Sequence, residues 1–187
     1  MRTFIAVEFD EPIRRQLATL QSRLKAKLPK LKWVEVHQIH LTLKFLGEIS
    51  DQQITPIAQA LTELAAKCWP LEIRVEDLGC FPPSGPVSVV WVGIKDPSGE
   101  LAKCQALCED LIEPFGFPRE RRRFSPHLTL ARTRDRAGGG AEIRAVLKAE
   151  PPARLGTQAV SGVTFFQSTL TPRGPIYNAL SKHPFAV

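Results

Sequence analysis

Apolar and polar positions along the chain change period several times, and each change marks an element. Residues 2–9, RTFIAVEF, read as a strand. Asp10 is then placed to cap a helix with Pro12 in its first turn. Ile13, Leu17, Leu20, Leu24 and Leu28 recur every three or four positions on its one apolar face, and Pro29 ends it. After a short segment at Trp33, residues 38–46, QIHLTLKFL, alternate like a strand. Ser50 and Gln53 have the spacing of a capping box, opening a second helix that carries Ile54, Ile57, Leu61 and Leu64. LEIRVEDLGCF (71–81) and VSVVWVGI (87–94), joined by PPSGP, form a hairpin with a long turn, and the second strand is apolar enough to be central in its sheet. A third helix covers roughly 99–113 with Leu101, Cys104, Leu107, Cys108, Leu111 and Ile112 inward, and a strand comes next at 126–132. The glycines at 138–140 break the chain before a short helix over 141–149, which the prolines at 151 and 152 stop. Two final strands, 160–170 and 175–182, flank the turn TPRG.

Strands and helices are intermixed, and many neighbouring strands are linked by hairpin-length turns. The fold class is therefore α+β with antiparallel sheets rather than a doubly wound parallel sheet. One tetrapeptide occurs twice on strands: His40-Leu41-Thr42-Leu43 and His127-Leu128-Thr129-Leu130. Each copy has helices nearby in sequence, which suggests two similar lobes, although the halves align poorly outside the tetrapeptide. Strand side chains alternate faces, so His40 and Thr42 point one way and Leu41 and Leu43 the other, as in the second copy. If the lobes face each other, two imidazoles and two hydroxyls line one cleft.

Composition narrows the class. With 187 residues and 43% hydrophobic positions the chain is long enough for one domain with a real core, or for two small packed lobes. The start, MRTFIAVEFDEP, has too short an apolar run for a signal peptide or a membrane span, so a soluble, cytoplasmic protein without a membrane partner is expected. Cysteines 68, 80, 104 and 108 lack further ligands at zinc spacing and read as reduced, mostly buried thiols. The net charge of +6 and pI near 9.4 favour an anionic partner. Seven of the 25 basic residues fall between Arg119 and Arg136, bracketing the second tetrapeptide. No glycine-rich nucleotide loop is present, so a nucleotide cofactor has no foothold.

Two imidazoles on opposite sides of a substrate suit in-line phosphoryl transfer without metal: one takes a proton from the attacking oxygen while the other gives one to the leaving oxygen. The threonine hydroxyls, two residues on, can donate to non-bridging phosphate oxygens. A single HxT on a strand is more often a structural histidine, and the duplication is what favours a paired acid–base site. A mononuclear metal site wants a third ligand, which the polar faces do not supply. Nothing demands threonine as a nucleophile.

The paired HxT motifs resemble those of the 2H phosphoesterase superfamily. RTFIAVEF, W-x6-HLTLKFLGE at 33–48, RRFSPHLTLAR at 122–132 and F-x-S-x-L-x-P-x-G-x-x-Y at 166–177 look like its RNA 2′,3′-cyclic phosphodiesterase branch, whose members are also called 2′-5′ RNA ligases. The resemblance spans nearly the whole chain. It implies one bilobal, pseudo-twofold domain over residues 1–187, with two antiparallel sheets facing a central cleft and helices outside. It implies hydrolysis of 2′,3′-cyclic RNA ends to 2′-phosphomonoesters with no cofactor and no metal, and the reverse 2′-5′ joining of tRNA halves. By position, His40 matches the proton donor and His127 the proton acceptor, while Thr42 and Thr129 match the phosphate-binding hydroxyls. The repeat is symmetric, so the division into acid and base rests on the resemblance alone. Arg122 matches a basic position that often reaches the cleft, and Arg132 is a further candidate for RNA or phosphate contact. On a regular strand, however, Arg132 has the opposite parity to His127. Phe124, Trp33 and Phe45 are candidates to stack on a base, although as single aromatics they fit the core better. His37 and His183 lie outside any motif and read as exposed bystanders. The expected partner is RNA with a 2′,3′-cyclic phosphate end, including tRNA fragments, and the expected state is a monomer. Two other readings stay open: a phosphodiesterase for small cyclic nucleotides, and a non-catalytic module that binds RNA ends.

Overall fold

The computed structural model describes residues 1–133, 139–172 and 174–186. Strands β1 (Arg2–Val7), β3 (Leu41–Glu48), β8 (Gly162–Thr171) and β9 (Gly174–Pro184) form one sheet in the order β3-β1-β8-β9. The other sheet has the order β2-β6-β5-β4-β7. It is built from β2 (Lys32–Trp33), β4 (Leu71–Phe81), β5 (Val89–Lys95), β6 (His127–Arg132) and β7 (Arg154–Val160). Every pairing among them is antiparallel. The helices are α1 (Glu11–Lys27), α2 (Asp51–Lys67), α3 (Glu100–Ile112) and α4 (Gly140–Ala149). None of the described helices is long and apolar enough to cross a membrane.

The two sheets are related by a pseudo-twofold exchange that runs through the sequence. β3-β1-β8-β9 corresponds to β6-β5-β4-β7, with β2 added beside β6. The helix that leaves β1 does not return to its own sheet: α1 packs on β7 of the other. Its counterpart α3 leaves β5 and packs on β3. α2 covers β8 and β9, and α4 covers β4. Each sheet is thus covered by one helix from its own side and one from the other, which interlocks the lobes.

The helix faces explain this packing. Ile13, Leu17, Leu20 and Leu24 of α1 are buried as their spacing requires, and each such side chain contributes roughly 1.5–3 kcal/mol by leaving water. Ser50 and Gln53 meet as expected, the Ser50 N–H donating to Gln53 Oε1 at 3.0 Å. At α1 the cap is different: Asp10 makes no side-chain cap bond, and its N–H instead donates to Gln158 Oε1 of β7 at 3.0 Å. The cysteines are free, with Cys68, Cys104 and Cys108 buried and Cys80 half-buried. Burial pushes the Cys108 thiol up to about 12, so it stays protonated and inert.

Two expectations fail here. The segment Arg154–Val160 is a strand in its own right, pairing with β4, and β8 starts only at Gly162. Its sequence RLGTQAV is rich in polar and small residues because at the sheet's edge only Leu155, Gln158 and Val160 are buried. His183 is not an exposed bystander. It is 7% exposed, lies within hydrogen-bond range of Thr62 Oγ1 at 3.1 Å through Nδ1 and Ser181 Oγ at 2.7 Å through Nε2, and burial lowers its pKa. His37 is exposed as expected. Gly138 of the glycine run and Arg173 of the TPRG turn lie outside the described residues.

Candidate active site

The strands that carry the two tetrapeptides, β3 and β6, approach each other across the lobes. His40 immediately precedes β3 and His127 opens β6, and both rings are half-buried. They are held alike. His40 Nδ1 lies 2.8 Å from the Gln38 carbonyl and His127 Nδ1 lies 2.7 Å from the Ser125 carbonyl, in each case two residues back. A carbonyl can only accept, so Nδ1 carries the hydrogen and the neutral ring presents the Nε2 lone pair. Among the described residues neither Nε2 has a partner. Burial is the main influence on both rings and lowers both pKa values. The carbonyl bonds pull the other way, while the charges of Arg14 near His40 and Arg132 near His127 add to the lowering. Gln38 also donates from Nε2 to the Pro175 carbonyl at 2.6 Å, fastening the start of β9 to the turn that orients His40.

Thr42 and Thr129 sit on the same strand faces as their histidines, opposite Ala6 and Trp91. Both are half-buried, and among the described residues neither hydroxyl has a partner.

Beyond the threonines the strands depart from regular alternation. β1 pairs Ile5 with Lys44 and Ala6 with Thr42, skipping Leu43; β5 pairs Val90 with Ala131 and Trp91 with Thr129, skipping Leu130. Each skipped leucine is a bulge, and a bulge shifts parity for every later residue of the strand. In β3 the shift turns Lys44 inward, where it is 6% exposed and ion-paired with the buried Glu109, and turns Phe45 outward, beside Phe4. In β6 it turns Ala131 inward and returns Arg132 to the face of His127. Two sequence expectations are corrected by this. Arg132 shares the histidine's face, and its charge acts on both His127 and, in the other sheet, Tyr177. Phe45 is 66% exposed rather than in the core. Trp33 and Phe124 do pack partly against the core.

The bulged carbonyls are also treated alike. Leu130 O accepts from Gln21 Nε2 of α1 at 3.0 Å, and Leu43 O from Gln105 Nε2 of α3 at 3.4 Å. Arg122 lies on the exposed loop before β6. Its N–H donates to Glu120 Oε1 at 3.1 Å, its guanidinium has no partner among the described residues, and no contact joins it to the histidines. Arg134 and Arg136 lie outside the described residues.

Aromatic rings wall both imidazoles. Phe4 stacks on His40 with centroids 4.6 Å apart, and Tyr177 meets it edge-on at 5.2 Å. Phe81 meets His127 edge-on at 5.0 Å, and Trp91 lies 6.3 Å away. Gly79, opposite Trp91, has no side chain for a reason: a Cβ there would fall 2.2 Å from the indole. Beside His40 opens a hollow of about 290 Å³ lined by Glu8, Arg14, Gln38, Phe166 and Tyr177 among others. Sequence reasoning did not single out Tyr177 as a site residue, although it closes the motif at 166–177. Among the described residues no group of three or more His, Cys, Asp and Glu is gathered to hold a metal ion.

A family model described as LigT-like phosphoesterase matches this chain twice, over residues 7–91 and 92–177, with one histidine strand in each match. The chain belongs to the LigT-like phosphoesterases of the 2H superfamily. Because each matched half supplies strands to both sheets, the internal repeat and the interlocked lobes are one fact seen twice. An RNA 2′,3′-cyclic phosphodiesterase of Archaeoglobus fulgidus is 32% identical over 180 residues, covering 96% of this chain and 98% of that protein. One from Thermotoga maritima is 30% identical, covering 99% and 96%. Among solved structures, TT0787 of Thermus thermophilus superposes with a TM-score of 0.80 at 30% identity, covering 99% of this chain and 98% of its own. Escherichia coli LigT in apo form gives 0.75 at 25%, covering 100% and 98%.

Proposed function

We propose that this phosphoesterase hydrolyses the 2′,3′-cyclic phosphodiester at an RNA end to a 2′-phosphomonoester, with His40 as acid and His127 as base. The observation that carries the proposal is the matched pair of imidazoles on adjoining strands, each fixed through Nδ1 to a carbonyl and each with Nε2 free. The activity for which the relatives in Archaeoglobus fulgidus and Thermotoga maritima are named supports the substrate. Water attacks phosphorus as His127 Nε2 takes its proton, a new P–O bond forms, the P–O3′ bond breaks, and the proton on His40 Nε2 passes to O3′. The Thr42 and Thr129 hydroxyls donate to the non-bridging oxygens, and Arg132 offsets their charge. Arg122 meets the RNA backbone further along the chain.

The environment of each histidine supports this division of roles. The leaving 3′-oxygen belongs to the terminal nucleoside, and the hollow and the exposed ring of Phe45 lie on the lobe of His40. The nucleoside therefore lies on that side, and water enters from the side of His127. The two matched segments act as one bilobal unit over the chain, without metal, and with a 5′-hydroxyl in place of water the same base and acid join a cyclic end, such as that of a tRNA half, through a 2′-5′ bond: His127 takes the hydroxyl proton, the P–O5′ bond forms, the P–O3′ bond breaks and His40 protonates O3′. Incubation in EDTA with a short RNA ending in a 2′,3′-cyclic phosphate tests the proposal. Phosphorus NMR should show 2′-phosphate alone; bound but unconverted RNA would leave only an RNA-end binding module.

A further inference from the structure

The bulge in β3 runs against the preference of its own sequence, whereas the one in β6 buries Ala131 and keeps Arg132 out of the core. Regular alternation from Thr42 would send Phe45 into the core and Lys44 to solvent, which is what hydrophobic burial favours. Instead Lys44 is turned inward and needs the buried carboxylate of Glu109, and Phe45 is left 66% exposed. A local conflict of this kind, next to a candidate catalytic threonine, marks a placement that serves the site.

Something must hold both bulges, the one in β3 against that preference. A bulge takes a residue out of its pairing with the neighbouring strand, and both bulged leucines are buried, so their backbone groups need other partners. In both lobes a buried glutamine donates to the bulged carbonyl, from the helix that crossed over from the opposite sheet. Gln21 is 7% exposed and Gln105 is 9% exposed. Gln21 Nε2 also donates to Val34 O at 2.8 Å, and Val34 N–H donates to Leu130 O at 2.9 Å, so β2 shares in holding that bulge. Gln105 Nε2 is steadied by Glu109 Oε1 at 2.9 Å, the same carboxylate that receives Lys44. The two glutamines occupy equivalent places under the pseudo-twofold exchange, although little else around them is alike.

We infer that Gln21 and Gln105 are positioning residues that clamp the two bulges from the exchanged helices, Gln21 thereby setting Arg132 and Gln105 setting Phe45 toward the bound RNA. Neither touches substrate; each acts through the residue it places. The inference rests on the proposed phosphodiesterase activity and names what makes the symmetric scaffold bind an asymmetric ligand. The bulge, not the tetrapeptide, decides what stands beyond each threonine.

Double-mutant cycles on the whole chain, with an RNA ending in a 2′,3′-cyclic phosphate, test it. Gln21→Met should raise KM about fivefold with kcat within about twofold, and should flatten the salt dependence of KM as Arg132→Ala does. Gln21→Met added to Arg132→Ala should change nothing further, whereas added to Phe45→Ala it should multiply the loss. Gln105→Met should behave in the mirror-image way, with its effect absorbed by Phe45→Ala and independent of salt. If Gln21→Met fails to fold, the Gln105 cycle stands on its own. Losses that multiply in all four pairings would make the glutamines general structural residues and overturn the inference, as would variants that bind and turn over RNA like the parent. A parent protein that converts no cyclic-phosphate RNA would overturn the proposed activity and the inference together; parent turnover with the wrong cycles would overturn the inference alone.

Discussion

Phe45 and Arg132 occupy equivalent positions in the two lobes, each five residues after its histidine and each brought to the histidine's face by a bulge at the intervening leucine. The scaffold is symmetric, but an exposed aromatic ring stands in one place and a guanidinium in the other. An RNA end is asymmetric in the same sense, with a flat base on one side of the cyclic phosphate and open water on the other. In the proposed reaction this pairing gives separate roles to two histidines whose own hydrogen bonds are nearly identical.

Replacement of either imidazole should be costly. His40→Ala and His127→Ala should each lower turnover of a cyclic-phosphate RNA by at least about a hundredfold, the usual worth of a positioned acid or base. Their melting temperatures should stay close to the parent's, because both rings are only half-buried. A loss under tenfold in either variant would break the acid–base pair.

The pH profile has a definite sign. Productive enzyme needs one ring protonated and one neutral. Burial disfavours the imidazolium of both, so both titrate below the ordinary value of 6.5. The log of kcat/KM, which reports the free enzyme, should therefore fall as pH rises above about 6.5, and fall again in acid once both rings are protonated. Bound phosphate stabilises imidazolium, so kcat should peak at higher pH than kcat/KM. A kcat/KM maximum above pH 8 would contradict the pairing.

Phe45→Ala removes a ring that supports little of the fold. Base stacking on an aromatic ring is worth about 1–3 kcal/mol, so KM for RNA should rise by about fivefold or more while the melting temperature hardly moves. Equal KM values for parent and variant would take the nucleobase away from this face.

The tetrapeptides could be read from the sequence because strand alternation is local: His and Thr two apart share a face, and Leu between them seeks the core. The residues just beyond them could not, because a bulge depends on how two strands pair, and the partner strand lies far away in sequence. Strict parity turns Arg132 away from His127, and a lone aromatic such as Phe45 reads as core, and the bulges reverse both. β7 was missed for a similar reason, its polar and small residues being tolerated by a position at the sheet's edge. His183 carries no motif, and the packing of β9 against α2, where it meets Thr62, could not be read locally.

Gly79→Ala tests how tightly the wall beside His127 is built. The added Cβ would overlap the Trp91 indole, so the ring must shift from its place beside Phe81 and His127. Overpacking of this kind costs about 1–3 kcal/mol, and unfolding should shift accordingly together with the near-ultraviolet signal of tryptophan. An unchanged spectrum and melting temperature would mean that the indole has room the structure does not give it.

The division of labour between His40 and His127 is the central claim, and a substrate with sulfur in place of the bridging 3′-oxygen tests it most directly. A thiolate leaves without protonation, so it makes the acid dispensable and leaves the base essential. Turnover of this substrate should be restored to near the parent rate in His40→Ala and should remain lost in His127→Ala. Rescue of His127→Ala instead would exchange the two roles, and rescue of neither would mean that the two histidines do not act as acid and base across the phosphate.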